Sequence, residues 1–338
     1  MEQQKKRVLM FCPSFFGYDK RLANAIYNEG YEVDLYDERP NNGFIAKVCI
    51  RYSVCMYRPI TRRYYQQIIQ KQGNTSYDYV LVVKGEAVSE DIVSLLRETY
   101  PAAKFILYLW DSVANIPDCV KRISLFDKVL TFDPNDARKY CLQYLPLPYD
   151  EGGFSYVACN AYKYDAAFIG TAHSVRPRVV KQIQEICQQQ GRSCFVYFYS
   201  PHILVYLFNK LTNPNYRWIT LKDIHFQPLS ANQVNEIYAS SRCVLDIEHP
   251  RQSGTTTRPA EMLPMQKKII TTNQAVKNFP FYNENNFCLI DRNNINIDNS
   301  FWDLPYIPTE KEIVEKYSPK QFVRTLFQES PEVDDGKS

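Results

Sequence analysis

Glycine is scarce in this sequence, 11 residues of 338, and histidine scarcer still, with four. Little glycine beside 26 tyrosines and 19 phenylalanines argues against a disordered chain and for packed globular domains. No charge of one sign dominates: the formal net charge is +3, so no global field points to nucleic acid. Apolar runs long enough to span a bilayer are missing. The opening MEQQKKRVLMFCPSFFG is basic, but its apolar run stops at Pro13, which fits a first strand rather than a secretory signal. CxxC pairs are absent too. The ten cysteines are scattered, the tightest spacings being Cys49-x5-Cys55 and Cys187-x6-Cys194, and Cys12, Cys243 and Cys288 sit in apolar runs. They read as reduced core thiols of a cytoplasmic protein. Neither cysteines nor histidines show ligand spacing, so no metal site is expected. GxGxxG is absent, which removes the dinucleotide fingerprint.

What is present is a strand–helix rhythm. Arg7 to Cys12 reads as a strand, about Tyr18 to Glu29 as a helix, and Tyr31 to Tyr36 as a second strand. Tyr79 to Val83 (YVLVV) is a buried strand, followed by a helix that Ser89 can cap, then strands at Phe105 to Leu109 and Lys128 to Phe132. Such alternation implies parallel sheets with helices on both faces, where ligands bind beyond the carboxyl ends of strands. Glu86, Asp111 and Asp133 fall at such ends, and Asp19 lies in the first loop beside Gly17. Glu86, Asp111 and Asp19 are candidates for a general base. Asp133, before Pro134, reads rather as a helix cap.

The length suits two domains. The cluster YLPLPY (144–149) with Asp150-Glu151-Gly152-Gly153 marks a linker, so the first domain is 1–150 and the second 151–308. Helices follow within 309–330, and 331–338 reads as a disordered acidic tail. The second domain opens with a strand, then Gly170-Thr171 and a helix with Arg176 and Arg178 in its first turn. Cations there oppose the helix dipole, which points either to an anion nearby or to plain surface solvation. Both readings stay open.

Residues 243–273, CVLDIEHPRQSGTTTRPAEMLPMQKKIITTN, form one strand–turn–helix–strand unit. One of Thr255, Thr256 and Thr257 can cap the helix, Pro259 suits its first turn, and Pro264 is expected to stop it. A Gly254-containing turn that opens a helix offers amide groups and a positive dipole end to phosphate, with Arg258 as an added cation. Glu261, one turn on, suits a ribose hydroxyl pair. The plainer alternative has Arg258 pairing with Glu261 on the surface. Asp246, Glu248 and His249 lie close enough for a metal, but no further ligand is evident.

Gln252 to Glu261 (QSGTTTRPAE), with KKIITTN at 267–273, resembles the carboxy-terminal signature of bacterial capsular and lipopolysaccharide glycosyltransferases of GT-B architecture. The resemblance extends to YLWDS (108–112), FDKVLTFDPNDA (126–137) and LPLPY (145–149), covering about residues 78 to 327. It implies two doubly wound, Rossmann-like α/β domains facing a cleft, with the terminal helices crossing back to the first. It further implies a nucleotide-sugar donor in the second domain, its pyrophosphate near Gly254 to Thr257 and Arg258. Glu261 would hold the ribose, and Gly170 and Thr171 would line the opposite wall. The first domain would receive a glycan or lipid-linked acceptor at the inner face of the cell membrane. No cofactor or metal is needed; the nucleotide sugar is a substrate. Many retaining relatives carry a second glutamate eight residues before the ribose glutamate. Here Ser253 stands there, which favours inversion or leaves donor contacts to Gln252 and Ser253.

Residues 39–77 hold seven basic side chains and no acid, interleaved with tyrosines. That composition suits an anionic membrane surface or a phosphate-bearing acceptor; the alternative is a pair of solvated helices. Two rival functions remain: a nucleotide-sugar epimerase on the same architecture, and a non-catalytic binding subunit of a polysaccharide assembly.

Overall fold

The computed structural model describes residues 5–14, 17–41, 54–116, 118–150, 162–249 and 254–328. Residues 331–338, the linker from 151 to 153 and residues 42–53 of the basic stretch lie outside these. The chain divides into two compact units, Met1–Pro146 with Pro319–Ser338, and Leu147–Ser318.

The first unit contains β1 (Arg7–Phe11), α1 (Tyr18–Asn28), β2 (Glu32–Tyr36), α2 (Val54–Gln72), β3 (Tyr79–Val83), α3 (Glu90–Thr99), β4 (Lys104–Leu109), α4 (Cys119–Ile123), β5 (Lys128–Thr131), α5 (Pro134–Lys139) and β6 (Gln143–Tyr144). Its strands are parallel, in the order β2-β1-β3-β4-β5-β6. β3 is buried at every position, as a parallel strand covered on both faces must be. Leu9, Val80, Val82, Phe105 and Leu107 turn to one core, where Tyr65 of α2 and Ile92 and Leu96 of α3 cover them. Ser89 does not cap α3 through its side chain; its hydroxyl donates to Asp91 instead. Asp133 does cap α5, accepting from the amides of Asn135 and Asp136.

The second unit contains β7 (Tyr164–Thr171), α6 (Arg176–Gln189), β8 (Cys194–Tyr199), α7 (Ile203–Thr212), β9 (Ile224–His225), α8 (Ala231–Ala239), β10 (Ser241–Asp246), α9 (Thr257–Met265), β11 (Lys268–Thr271), β12 (Phe287–Leu289), α10 (Asn299–Asp303) and α11 (Lys311–Glu315). These strands are also parallel, ordered β12-β11-β10-β7-β8-β9. Alternate residues serve the two faces: Ala166, Phe168, Cys243 and Leu245 join one core, Ala167 and Val244 the other. Pro264 is a correction. It sits inside α9, which runs on to Met265 and ends at Gln266, a left-handed residue with φ 53°.

The terminal helices are a second correction. α11 stays with the second unit, because Ile313, Val314 and Tyr317 pack against its core, Tyr317 edge-on to Phe281. Only α12 (Pro319–Phe327) belongs to the first unit. It packs on α1, with Phe322 against Tyr108 and Phe327 against Tyr31 and Tyr79. Among the described residues no helix is long and apolar enough to cross a membrane.

Candidate functional site

In an open parallel sheet the strand order reverses at one place, and the loops leaving the flanking strands part there to open a crevice. In the second unit that place lies between β7 and β10. Gly170 and Thr171 end β7, and Asp246 ends β10. Gly170 has a packing reason to be glycine, since a Cβ there would come 2.9 Å from the Phe168 ring.

The α9 amino terminus is built on Asp246. The Thr256 hydroxyl accepts from the Arg258 amide at 3.2 Å and donates to Asp246 Oδ1 at 2.7 Å. Thr256 is thus the cap among the three threonines. Asp246 is buried; burial raises its pKa, against the Thr256 hydrogen bond and the charges of Arg258 and Arg176. Gly254 is held from behind, its carbonyl accepting from Asn273 Nδ2 at 3.3 Å.

Two guanidinium groups flank this crevice. Arg176, at the start of α6, donates from Nε to the Ile247 carbonyl at 2.6 Å, and burial pushes it down to about 10, which leaves it charged at neutral pH. Arg258 donates from Nη2 to the Ile169 carbonyl at 3.2 Å and lies over the Tyr238 ring. Arg258 and Glu261 stand 3.7 Å apart, longer than a charge-assisted hydrogen bond, and Glu261 is buried rather than on the surface. Beside them burial, helped by Arg176 and His249, lowers His173 to about 3, so its imidazole is neutral. Two fixed cations at two helix amino termini, with a buried carboxylate one turn on, can hold a diphosphate and its adjoining diol. Gln252 and Ser253 lie outside the described residues.

Asp246 and Glu248 are engaged by protein groups. Thr271 adds a hydroxyl to Asp246, while Arg292 and Thr272 both bond Glu248. Among the described residues no group of three or more histidine, cysteine or acidic side chains could hold a metal. Sequence reasoning missed Arg292 and His173. Arg292 lies 44 residues from its partner Glu248, and no local pattern could connect them.

In the first unit the strand order reverses between β1 and β3. Lys84, just past β3, has φ 70°, a left-handed value that a lysine seldom adopts. Its ammonium lies 2.9 Å from Glu86 and 3.6 Å from Asp111, so two of the three candidate bases share one cation. Burial lowers Lys84, but Glu86, Asp111 and Glu38 outweigh it and raise the net value. Asp111 is oriented by Asn115 Nδ2 at 2.9 Å and the Ser112 amide at 3.0 Å. Arg122 pins the loop by donating to the carbonyls of Gly85 and Val88. A small pocket lined by Tyr57, Arg58, Thr61, Glu86 and Arg122 joins the basic stretch to this loop.

Asp19, the third candidate, is buried in the first turn of α1; it and Glu38 both bear on the Cys12 thiol. Glu38, which sequence reasoning did not single out, is fully buried, and burial lifts it to about 8. A separate cavity of about 430 Å³, lined by Lys181, Gln188, Arg192 and Trp218 among others, lies at the amino end of β8, whereas the second unit's crevice opens at the carboxyl ends of β7 and β10.

By sequence, no family model and no curated protein matches the chain. By structure it is similar to sucrose-phosphate synthase from Thermosynechococcus elongatus, with TM-score 0.59 and 10% identity over 96% of this chain and 95% of that one. Anabaena Alr3699/HepE, solved with UDP and glucose, gives 0.57 at 9% identity, covering 96% of each chain. A protein assigned as a UDP-N-acetylglucosamine 2-epimerase from Listeria monocytogenes gives 0.53 at 11% identity, over 95% and 94%. At such identities the likeness concerns the fold. The chain has a GT-B type fold, two Rossmann-like α/β units.

Proposed function

We propose that this chain is a metal-independent glycosyltransferase that moves a hexosyl group from a nucleotide-diphosphate sugar to a glycan or lipid-linked acceptor in surface polysaccharide biosynthesis. One observation carries the reading: Arg176 and Arg258 flank the β7/β10 crevice at two helix amino termini, with buried Glu261 one turn beyond. The pyrophosphate would lie against Gly254, Thr255, Thr256 and Thr257 with both arginines, Glu261 would take the ribose, and Gly170 and Thr171 would form the other wall. Gln252 and Ser253 would complete the donor contacts. Fixed cations and amide dipoles stabilise the charge that builds on the departing nucleotide diphosphate.

The acceptor belongs to the first unit. Asp111 is the more exposed of the two carboxylates around Lys84, so it is the base we assign, with Glu86 holding Lys84 and Asp19 a more distant acid. The basic residues of 39–77 would meet a phosphate-bearing acceptor or anionic headgroups at the cytoplasmic membrane face. Ser253 in place of a second glutamate favours inversion.

The test is calorimetric titration with UDP, GDP, CDP and dTDP. One nucleotide should bind, and Arg258→Ala and Glu261→Ala should each weaken it roughly ten- to hundredfold, the scale of a lost hydrogen bond to a charged group. Absence of binding by folded protein would remove the donor site. The likeness to the epimerase supports a second reading, in which the same pocket isomerises a nucleotide sugar. Turnover of UDP-sugar without acceptor, unaffected by Asp111→Asn, would favour it.

A further inference from the structure

Helix α7, ILVYLFNKLT, presents its apolar side chains outward. A helix on a globular domain ordinarily turns its apolar stripe inward. Here only Tyr206 is fully buried, while Leu204 and Phe208 are each 66% exposed and Leu211 88%. Ile203 and Leu207 are exposed as well. Positions 204, 207, 208 and 211 recur at helical spacing and so share one face. The 3-10 turn Pro214–Trp218 packs against α7, and the next, Leu221–Asp223, adds exposed Leu221.

Charge says what would cover this face. From Ser200 to Lys222 the chain has no aspartate or glutamate, but it has Lys210, Arg217 and Lys222, all exposed. The first acid, Asp223, is already matched by Lys181 at 2.6 Å. Side chains this exposed leave an apolar ridge that no described residue covers. An isologous dimer through the ridge would set like charges together. An anionic bilayer accepts both features, since it buries apolar side chains at the headgroup boundary and attracts adjacent cations.

We propose that α7 and the turns after it seat the second unit on an anionic lipid surface. Leu204, Leu207, Phe208 and Leu211 enter the headgroup boundary, and Arg217 and Lys222 meet the headgroups. This surface is separate from the basic stretch 39–77, which belongs to the first unit.

The test is co-sedimentation of the full chain with phosphatidylcholine vesicles, with and without phosphatidylglycerol. Wild type should bind the anionic vesicles, and Leu204→Glu/Phe208→Glu and Arg217→Glu/Lys222→Glu should each partition at least about tenfold more weakly. Both variants change exposed side chains, so their melting temperatures should match wild type, which keeps the comparison interpretable. Unchanged binding by the folded Leu204→Glu/Phe208→Glu protein would overturn the proposal. So would equal binding to vesicles lacking phosphatidylglycerol, or loss of binding confined to Arg62→Glu/Arg63→Glu. Sedimentation velocity covers the remaining case: a wild-type dimer split by Leu204→Glu/Phe208→Glu would make the ridge a self-interface and overturn it as well.

Discussion

Glu38 shows how much one residue's chemistry depends on burial. Neither of its side-chain oxygens has a hydrogen-bond partner among the described residues, and burial lifts it from an ordinary 4.5 to about 8 against the pull of Lys84 and Arg39. The folded protein therefore keeps a proton that the unfolded chain releases above about pH 4.5. The stability tied to that proton is complete below pH 4.5 and is lost as pH rises through about 8. Glu38→Gln keeps the shape and removes the titration. The variant should melt a few degrees above wild type at pH 7 to 8, and its advantage should vanish near pH 4. Thermal melts across that range test it; parallel profiles for the two proteins would mean that Glu38 is solvated. The sequence could not flag this residue. Glu86 and Asp111 stood out because each follows a recognisable buried strand, whereas Glu38 lies in the loop segment DERP, and Tyr65, which covers its backbone, comes 27 residues later.

The α9 amino terminus joins a local signal to a distant one. A hydroxyl cap somewhere in Thr255 to Thr257 was legible from helix chemistry alone. Its identity was not, because Thr256 is chosen by its bond to Asp246, ten residues earlier on another element. Thr256→Val should remove a cap worth about 1 kcal/mol and leave buried Asp246 short of a hydrogen bond, a further cost of about 1–3 kcal/mol. Thr256→Ser should keep both. Urea unfolding of the pair checks this, and equal midpoints would show that the hydroxyl does not carry the turn. The same division runs through the secondary structure. β1, β3, β4, β7 and β10 were readable as apolar runs buried on both faces. The edge strands β6, β9 and β12, two or three residues long, lacked enough pattern to declare themselves. α10 was missed for the same reason, at five residues, and part of what holds it is Lys268, whose ammonium donates to the carbonyls of Phe301 and Leu304.

At the scale of the whole chain, the first unit is not finished until the sequence has passed through the second. Its sheet ends with β6, yet Phe322, Val323, Leu326 and Phe327 of α12 are buried within it, far along the chain. Lys128 fixes the helix from the other end, donating at 2.7 Å to the carbonyls of Thr325 and Gln328, where a cation also complements the helix dipole. That a terminal helix exists was legible from its apolar spacing. Which unit would bury it was not, since a helix shows that it has an apolar face without naming the partner. Four buried side chains at roughly 1.5–3 kcal/mol each come to about 6 kcal/mol or more, comparable to the whole stability of a domain. A chain stopped after Ser318 should therefore lose hydrogen-exchange protection across β1, β3 and β4 while β7 and β10 keep theirs, and it should still bind whichever nucleotide the full chain binds. Protection surviving in β1 and β3 would mean that the first sheet closes without α12. Simultaneous loss in β7 and β10 would mean that the second unit cannot hold its fold, or its donor pocket, without the first.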